Sequence, residues 1–261
     1  MTPWLAKRCC KRSNFVDAGY VTQLSDVIGV VTDMYSTRFH LSQQARRGML
    51  ALGACLSERR LAWLRNGLGS LEQGHWLARH GWVPNVKDRF AVFTAALDLV
   101  KGHRPLYLEF GVYKGRTIRW WSNNLNCDQA RFVGFDTFTG LPEDWRHDAR
   151  RGSFNAGQIP LIDDPRVSFV RGLFHEILPD WTPPDHDQLI VSVDCDLYTS
   201  SREVLDWLDP HLSPGTLVYF DDLFERDHEP RAMTEWLQRH RHRVHPLVMG
   251  RWGHHLLLEY R

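Results

Sequence analysis

Seven apolar runs constrain the fold of this chain more than any other feature. They lie at Leu106–Phe110, Phe132–Phe135, Val167–Val170, Leu189–Val193, Leu217–Phe220, Val244–Met249 and His255–Glu259, with helical patterns after most of the first five. That alternation is the βαβ rhythm of a mostly parallel sheet covered by helices on both faces, an α/β Rossmann-like architecture. Only a few residues around Arg251-Trp-Gly253 separate the last two runs, so these form a hairpin and one of them must run antiparallel. The expected core is therefore a seven-stranded, mostly parallel sheet closed by an antiparallel hairpin.

Upstream the pattern is helical. Val21, Leu24, Val27, Ile28, Val31 and Met34 recur at helical spacing over Tyr20 to Met34, and a second helical pattern covers Leu41 to Leu64. The segment Asn66 to Trp82, with Gly67, Gly69, Gly74 and Gly81, reads as a loop that could close over a pocket or serve as a plain connector. Pro84 and Asn85 precede a helix from about Val86 to Val100. These readings divide the chain into a helical extension over 1–85, acting as lid or oligomer interface, and a ligand-binding domain over 86–261. Disorder is expected only at the termini and in the polar stretch Glu143 to Gly157.

With 261 residues, 43% of them hydrophobic, the chain can bury a full core. A net charge of +1 provides no overall field for nucleic acid or an anionic membrane, and neither is expected as a partner. The start lacks an apolar run long enough for a signal peptide or membrane span, so a cytoplasmic location is expected. Five cysteines, Cys9, Cys10, Cys55, Cys127 and Cys195, suit reduced thiols better than a disulfide framework.

The first strand exits into Glu109-Phe-Gly-Val-Tyr-Lys-Gly-Arg-Thr117. Gly111 and Gly115 allow a sharp turn close to a ligand, and the following helix presents free N–H groups. The G-x-x-x-G spacing differs from the dinucleotide G-x-G-x-x-G. Asp136 ends the second strand, twenty-five residues after Gly111, where a carboxylate can bridge both ribose hydroxyls of a nucleoside. The lesser alternative is that it starts an Asx turn into Gly140-Leu-Pro142. Gly172 and Leu173, at the third strand's exit, offer a place for adenine.

Asp194 and Asp196 follow the fourth strand, and Asp221 and Asp222 the fifth. Four carboxylates at neighbouring strand ends repel one another without a cation. Oxygen donors point to a hard divalent ion, Mg²⁺ first, which would acidify a coordinated hydroxyl; some of these aspartates could instead cap helices. His228, Glu229 and Arg231, just beyond, could contact acceptor or cofactor, or simply open a helix.

The set EFGVYKG, FDTFTGLP, DCDLYTSS and PGTLVYFDD resembles the macrocin O-methyltransferase family, metal-dependent sugar methyltransferases of the class I S-adenosylmethionine-dependent fold. The resemblance covers about Leu106 to Arg261. It implies S-adenosylmethionine as methyl donor, a Mg²⁺ held by aspartates after the fourth and fifth strands, a sugar hydroxyl as acceptor, a helical lid and self-association. By that match Glu109, Gly111, Val112, Tyr113, Lys114, Gly115, Thr117, Asp136, Thr137, Gly172, Leu173 and Asp194 would bind the cofactor. Asp194 and Asp196 would be catalytic, and Asp194, Asp196, Asp221 and Asp222 would hold the metal. Cys195 replaces the family's glycine in D-G-D-L-Y, and Leu223 an aromatic, departures that leave room for an acceptor other than the macrolide sugars. Alternatives are a non-sugar acceptor, an inactive cofactor-binding assembly protein, and a nicotinamide enzyme, which the glycine spacing and the hairpin disfavour.

Overall fold

The computed structural model describes residues 42–81, 83–240 and 242–261; the expected helix at Tyr20 to Met34 lies outside them. Two compact units meet between Leu61 and Ala62. In the first, helix α1 covers residues 42–54, and a turn at 55–57 precedes helix α2, Glu58–His80, which belongs to the second unit from Ala62 onward. The expected continuous helix over Leu41 to Leu64 is thus two helices. Arg60 and Leu61 donate to the Ser57 carbonyl as α2 begins.

The expected Asn66 to Trp82 loop is instead helical through His80, with Gly67, Gly69 and Gly74 inside α2. Each interior glycine costs about 1 kcal/mol relative to alanine. Tertiary bonds within the second unit offset this: Asn66 Nδ2 donates to Glu225 at 3.1 Å, and Gln73 Nε2 donates to the Gly253 carbonyl at 2.8 Å. At Gly69 an added Cβ would lie 3.0 Å from Arg226 Cγ, a close contact to which the arginine side chain would have to yield.

The second unit is built on an eight-stranded sheet. The strands are β1 (Asn85–Val86), β2 (Pro105–Phe110), β3 (Arg131–Asp136), β4 (Val167–Arg171), β5 (Gln188–Val193), β6 (Leu217–Phe220), β7 (Val244–Gly250) and β8 (His255–Tyr260), in the order β1-β7-β8-β6-β5-β2-β3-β4. All seven apolar runs are strands. Only β8 runs antiparallel, between β6 and β7. The two-residue β1 is the addition. It pairs with Met249 and Gly250 and so shortens the helix expected over Val86 to Val100 to α3, Arg89–Leu97, capped by Asp88, whose side chain accepts from Ala91 N at 3.0 Å.

Side chains alternate across the sheet. Leu106, Leu108 and Phe110 of β2, with Leu189, Val191 and Val193 of β5, face the core under α6 (Tyr198–Leu208) and α7 (Glu229–His240). Tyr107 and Ile190 face the opposite core, beneath α3 and α4 (Arg116–Asn124). Parity then places Glu109, Ser192, Asp194, Tyr219 and Asp221 on the α3/α4 face. The stretch 143–157, expected to be disordered, forms turns: Trp145 N donates to Ala149 O at 3.0 Å and Gly152 N to Leu141 O at 2.8 Å. No helix among the described residues is long and apolar enough to cross a membrane. Cys55, Cys127 and Cys195 are free thiols.

Candidate active site

Parallel strands all deliver their carboxyl ends to one edge of the sheet, and a crevice of about 910 Å³ opens there. That size suits a small ligand. Gly111, Val112, Tyr113, Lys114, Thr117, Asp136, Thr137, Gly172 and Leu173 line it, together with Asp194, Asp196, Asp221 and Asp222. Glu109 and Gly115 do not.

Gly111 takes φ +90°, and the backbone passes so close to β5 that an added Cβ would lie 1.8 Å from the Asp194 carbonyl oxygen. The loop beyond it is held by Asp136, whose Oδ2 accepts from Val112 N and Tyr113 N, both at 2.8 Å. Asp136 Oδ1 accepts from Phe138 N at 2.7 Å, the Asx turn toward Gly140. Asp136 therefore ties the glycine loop to β3 as well as facing the crevice. Gly172, at φ +155°, would drive a Cβ to 2.4 Å from Ile177 Cγ2, and its N–H donates to the Asp136 carbonyl at 3.1 Å.

Glu109 lies under the loop, almost wholly buried, where Tyr107 Oη donates to its Oε2 at 2.7 Å and Oε1 has no partner. Burial pushes its pKa up to about 8, against the lowering effect of the Tyr107 bond. Because the folded pKa exceeds the unfolded one, its contribution to stability is fully present below about 4.5 and is lost as pH rises through about 8. Glu109→Gln should therefore melt at a temperature near wild type at pH 5 and higher than wild type at pH 9. A thermal-denaturation series across that range checks it; parallel curves would show that Glu109 is not protonated in the folded state.

The four aspartates converge as expected, but a residue absent from the sequence reading joins them. Arg89, the first residue of α3, donates from Nη2 to Asp221 Oδ2 at 2.6 Å and from Nη1 to Asp194 Oδ2 at 3.3 Å. Burial alone would lower its pKa, yet Asp194 and Asp221 more than reverse this and raise it. Asp221 also accepts from Tyr219 Oη, and His255 Nδ1 stands 2.7 Å from the Asp221 carbonyl, which can only accept, so that nitrogen carries the proton. Burial would raise the Asp221 pKa, but the His255 ring, 3.3 Å from its Oδ1, together with Arg89 and Tyr219 outweighs this and holds it low. Desolvation and the neighbouring Asp221 raise the partly buried Asp194 well above the ordinary range despite Arg89.

Asp196 sits in the left-handed region at φ +61°. Burial, then Asp222 and Asp221, push its pKa to about 7. Burial also raises Asp222, with the His254 ring 3.8 Å away as partial compensation. Behind this group lies Glu229, wholly buried at the start of α7, accepting from Asp221 N at 2.9 Å, Asp222 N at 3.2 Å and Cys195 N at 3.3 Å. It is an internal scaffold, while His228 and Arg231 do not line the crevice and His175 does.

The oxygen-only donor set has the chemistry of a hard divalent ion. Among the described residues, however, no group of three or more such side chains is arranged to hold an ion, and the Arg89 guanidinium lies between Asp194 and Asp221. The aspartates gain at least part of their compensating charge from within the chain.

Residues 108–223 match the family model described as a methyltransferase domain. A curated relative from Streptomyces olivaceus, 8-demethyl-8-(2,3-dimethoxy-alpha-L-rhamnosyl)-tetracenomycin-C 4'-O-methyltransferase, is 30% identical over 156 residues, covering 51% of this chain. The chain spans 58% of that relative's length. Among solved structures, the calicheamicin methyltransferase CalS11 superposes with a TM-score of 0.51 at 24% identity, over 65% of this chain and 76% of its own. The O-methyltransferase NovP gives a TM-score of 0.50 at 21% identity, over 66% of this chain and 77% of its own. Residues 108–223 are thus similar to a methyltransferase domain, and the sheet has the same fold as CalS11 and NovP.

Proposed function

We propose that the chain transfers the methyl group of S-adenosylmethionine to a hydroxyl oxygen of a sugar or a glycosylated small molecule. The observation that carries this reading is the single crevice that joins the glycine loop and Asp136 to the aspartate group. A nucleoside on the loop side would place its sulfonium near the carboxylates. Support for the sugar comes from the Streptomyces olivaceus relative, whose name specifies a rhamnosyl 4'-oxygen.

In the proposed arrangement Gly111 to Thr117 cradle the amino-acid end of the cofactor and Gly172 with Leu173 face its base. The Asp136 carboxylate already accepts three main-chain N–H bonds and a fourth, longer one from Thr137 Oγ1 at 3.5 Å, so a ribose hydroxyl would take the place of the Thr137 contact. The acceptor oxygen attacks the methyl carbon, the carbon–sulfur bond breaks as the carbon–oxygen bond forms, and the acceptor proton passes to Asp196. Alignment and charge supply most of the rate. Asp194, Asp196, Asp221 and Asp222 are the residues that would hold Mg²⁺, which when bound lowers the pKa of a coordinated hydroxyl. The segment 1–85 is proposed as lid or self-association surface; the exposed Trp63, Leu68 and Leu71 of α2 motivate this, and sedimentation of the full chain reads the self-association.

Calorimetry of the full chain should show S-adenosylhomocysteine binding and no NAD binding, with the affinity kept after exhaustive chelation. Asp136→Ala should weaken that binding by roughly 1–3 kcal/mol, the cost of unpairing hydrogen-bonded groups. Methyl transfer from labelled S-adenosylmethionine to a panel of nucleotide-activated deoxysugars and glycosylated polyketides should stop on chelation and return with Mg²⁺. Undiminished transfer after chelation would remove the metal. Binding without transfer to any acceptor would favour the inactive assembly protein.

A further inference from the structure

Helix α3 delivers one cation to the end of the sheet, and its geometry is fixed from both sides. Asp88 caps the helix through Ala91 N, so the first residue, Arg89, leaves a rigid end. Its guanidinium then spans the carboxyl ends of β5 and β6, 3.3 Å from Asp194 and 2.6 Å from Asp221. Asp221 cannot swing away to meet another partner, because Tyr219 Oη bonds the same carboxylate and its main chain is held by His255 and Glu229. Asp194 has the longer contact. One row inward on this face, Glu109 accepts from Tyr107 Oη and makes no hydrogen bond to the guanidinium.

We infer that Arg89 is a positioning residue that holds the Asp194 and Asp221 carboxylates in place, and that Arg89 and a divalent cation are alternative occupants of the space between them. The inference rests on the reading of these aspartates as ion ligands. A guanidinium bonded to both carboxylates takes acceptor positions an ion would need, and it repels a second cation at contact distance. A cation must first draw Asp194, the more weakly held side, away from Arg89. The apparent affinity of the wild type for divalent ions is then lower than the donor set alone would give, by the fraction of molecules in which Arg89 has withdrawn.

The test is Mn²⁺ binding to the full chain by calorimetry and water-proton relaxation, in the presence of S-adenosylhomocysteine. Arg89→Met should bind Mn²⁺ at least tenfold more tightly than wild type, whereas Arg89→Lys should stay near it. Arg89→Gln, which keeps donors for Asp221 without the charge, serves if the methionine variant fails to fold, and should shift the same way. A merely structural role would leave Mn²⁺ affinity unchanged or reduced. Measurable binding to wild type with equal or weaker binding to the folded methionine or glutamine variant overturns the inference and leaves the ion site standing. Absence of Mn²⁺ binding in every variant overturns both.

Discussion

Gly111→Ala should lower unfolding stability by about 3 kcal/mol or more and abolish S-adenosylhomocysteine binding. Two independent penalties act at this position. The φ of +90° is one that an L side chain rarely adopts, and the new methyl carbon would start 1.8 Å from the Asp194 carbonyl oxygen. That oxygen belongs to main chain, so no rotamer change relieves the overlap; β2 and β5 must part where their hydrogen-bonded register ends. Separation also pulls Val112 N and Tyr113 N from Asp136. Denaturant unfolding and ligand calorimetry read the two effects separately. Gly152→Ala, at φ +82° but with nothing within 4 Å of the added atom, controls for backbone strain alone and should cost much less. A Gly111→Ala protein with wild-type stability would mean the loop does not approach β5 as described.

This contact explains why some of the site was legible from sequence and some was not. Buried strands declare themselves as continuous apolar runs, so β2 to β8 could be bounded to within a residue or two, and their carboxyl ends place Asp136, Asp194, Asp196, Asp221 and Asp222 on one edge without further information. Arg89 gave no such signal. It stands in a helix at ordinary spacing, 105 and 132 positions from its two partners, and only the sheet order brings α3 over β5 and β6. The Asn66 to Trp82 segment failed for a different reason: four glycines read locally as a loop, while the helix is fixed by Glu225 and Gly253, far away in the chain. Asp136 was legible as an acid at the right distance, yet its use by the loop's own N–H groups depends on the backbone path between two strands. Repulsion among four carboxylates was a sound argument for a cation. It could not say which cation, because the guanidinium comes from outside the motifs.

Glu229→Ala should destabilise the fold by about 3 kcal/mol or more and degrade the aspartate group with it. The carboxylate is wholly buried and accepts from the main-chain N–H groups of Cys195, Asp221 and Asp222, which are the residues that carry β5 and β6 out of the sheet. Each buried donor left without a partner costs about 1–3 kcal/mol, and alanine leaves three unless water enters the space. An opposing gain exists. Burial and the neighbouring Asp221, Asp196 and Asp222 raise the Glu229 pKa well above its ordinary value, so removing the group also relieves electrostatic cost. Three orphaned donors should outweigh that relief, since a group with a raised pKa sheds its charge by taking up a proton and still accepts hydrogen bonds. Glu229→Gln separates the contributions: it keeps an acceptor oxygen for Asp221 N and Asp222 N and drops the charge, so it should recover most of the stability lost in alanine. Equilibrium unfolding of the three proteins at neutral pH provides the comparison. If glutamine proves as damaging as alanine, the negative charge of Glu229 and not its acceptor oxygens holds the two strand ends.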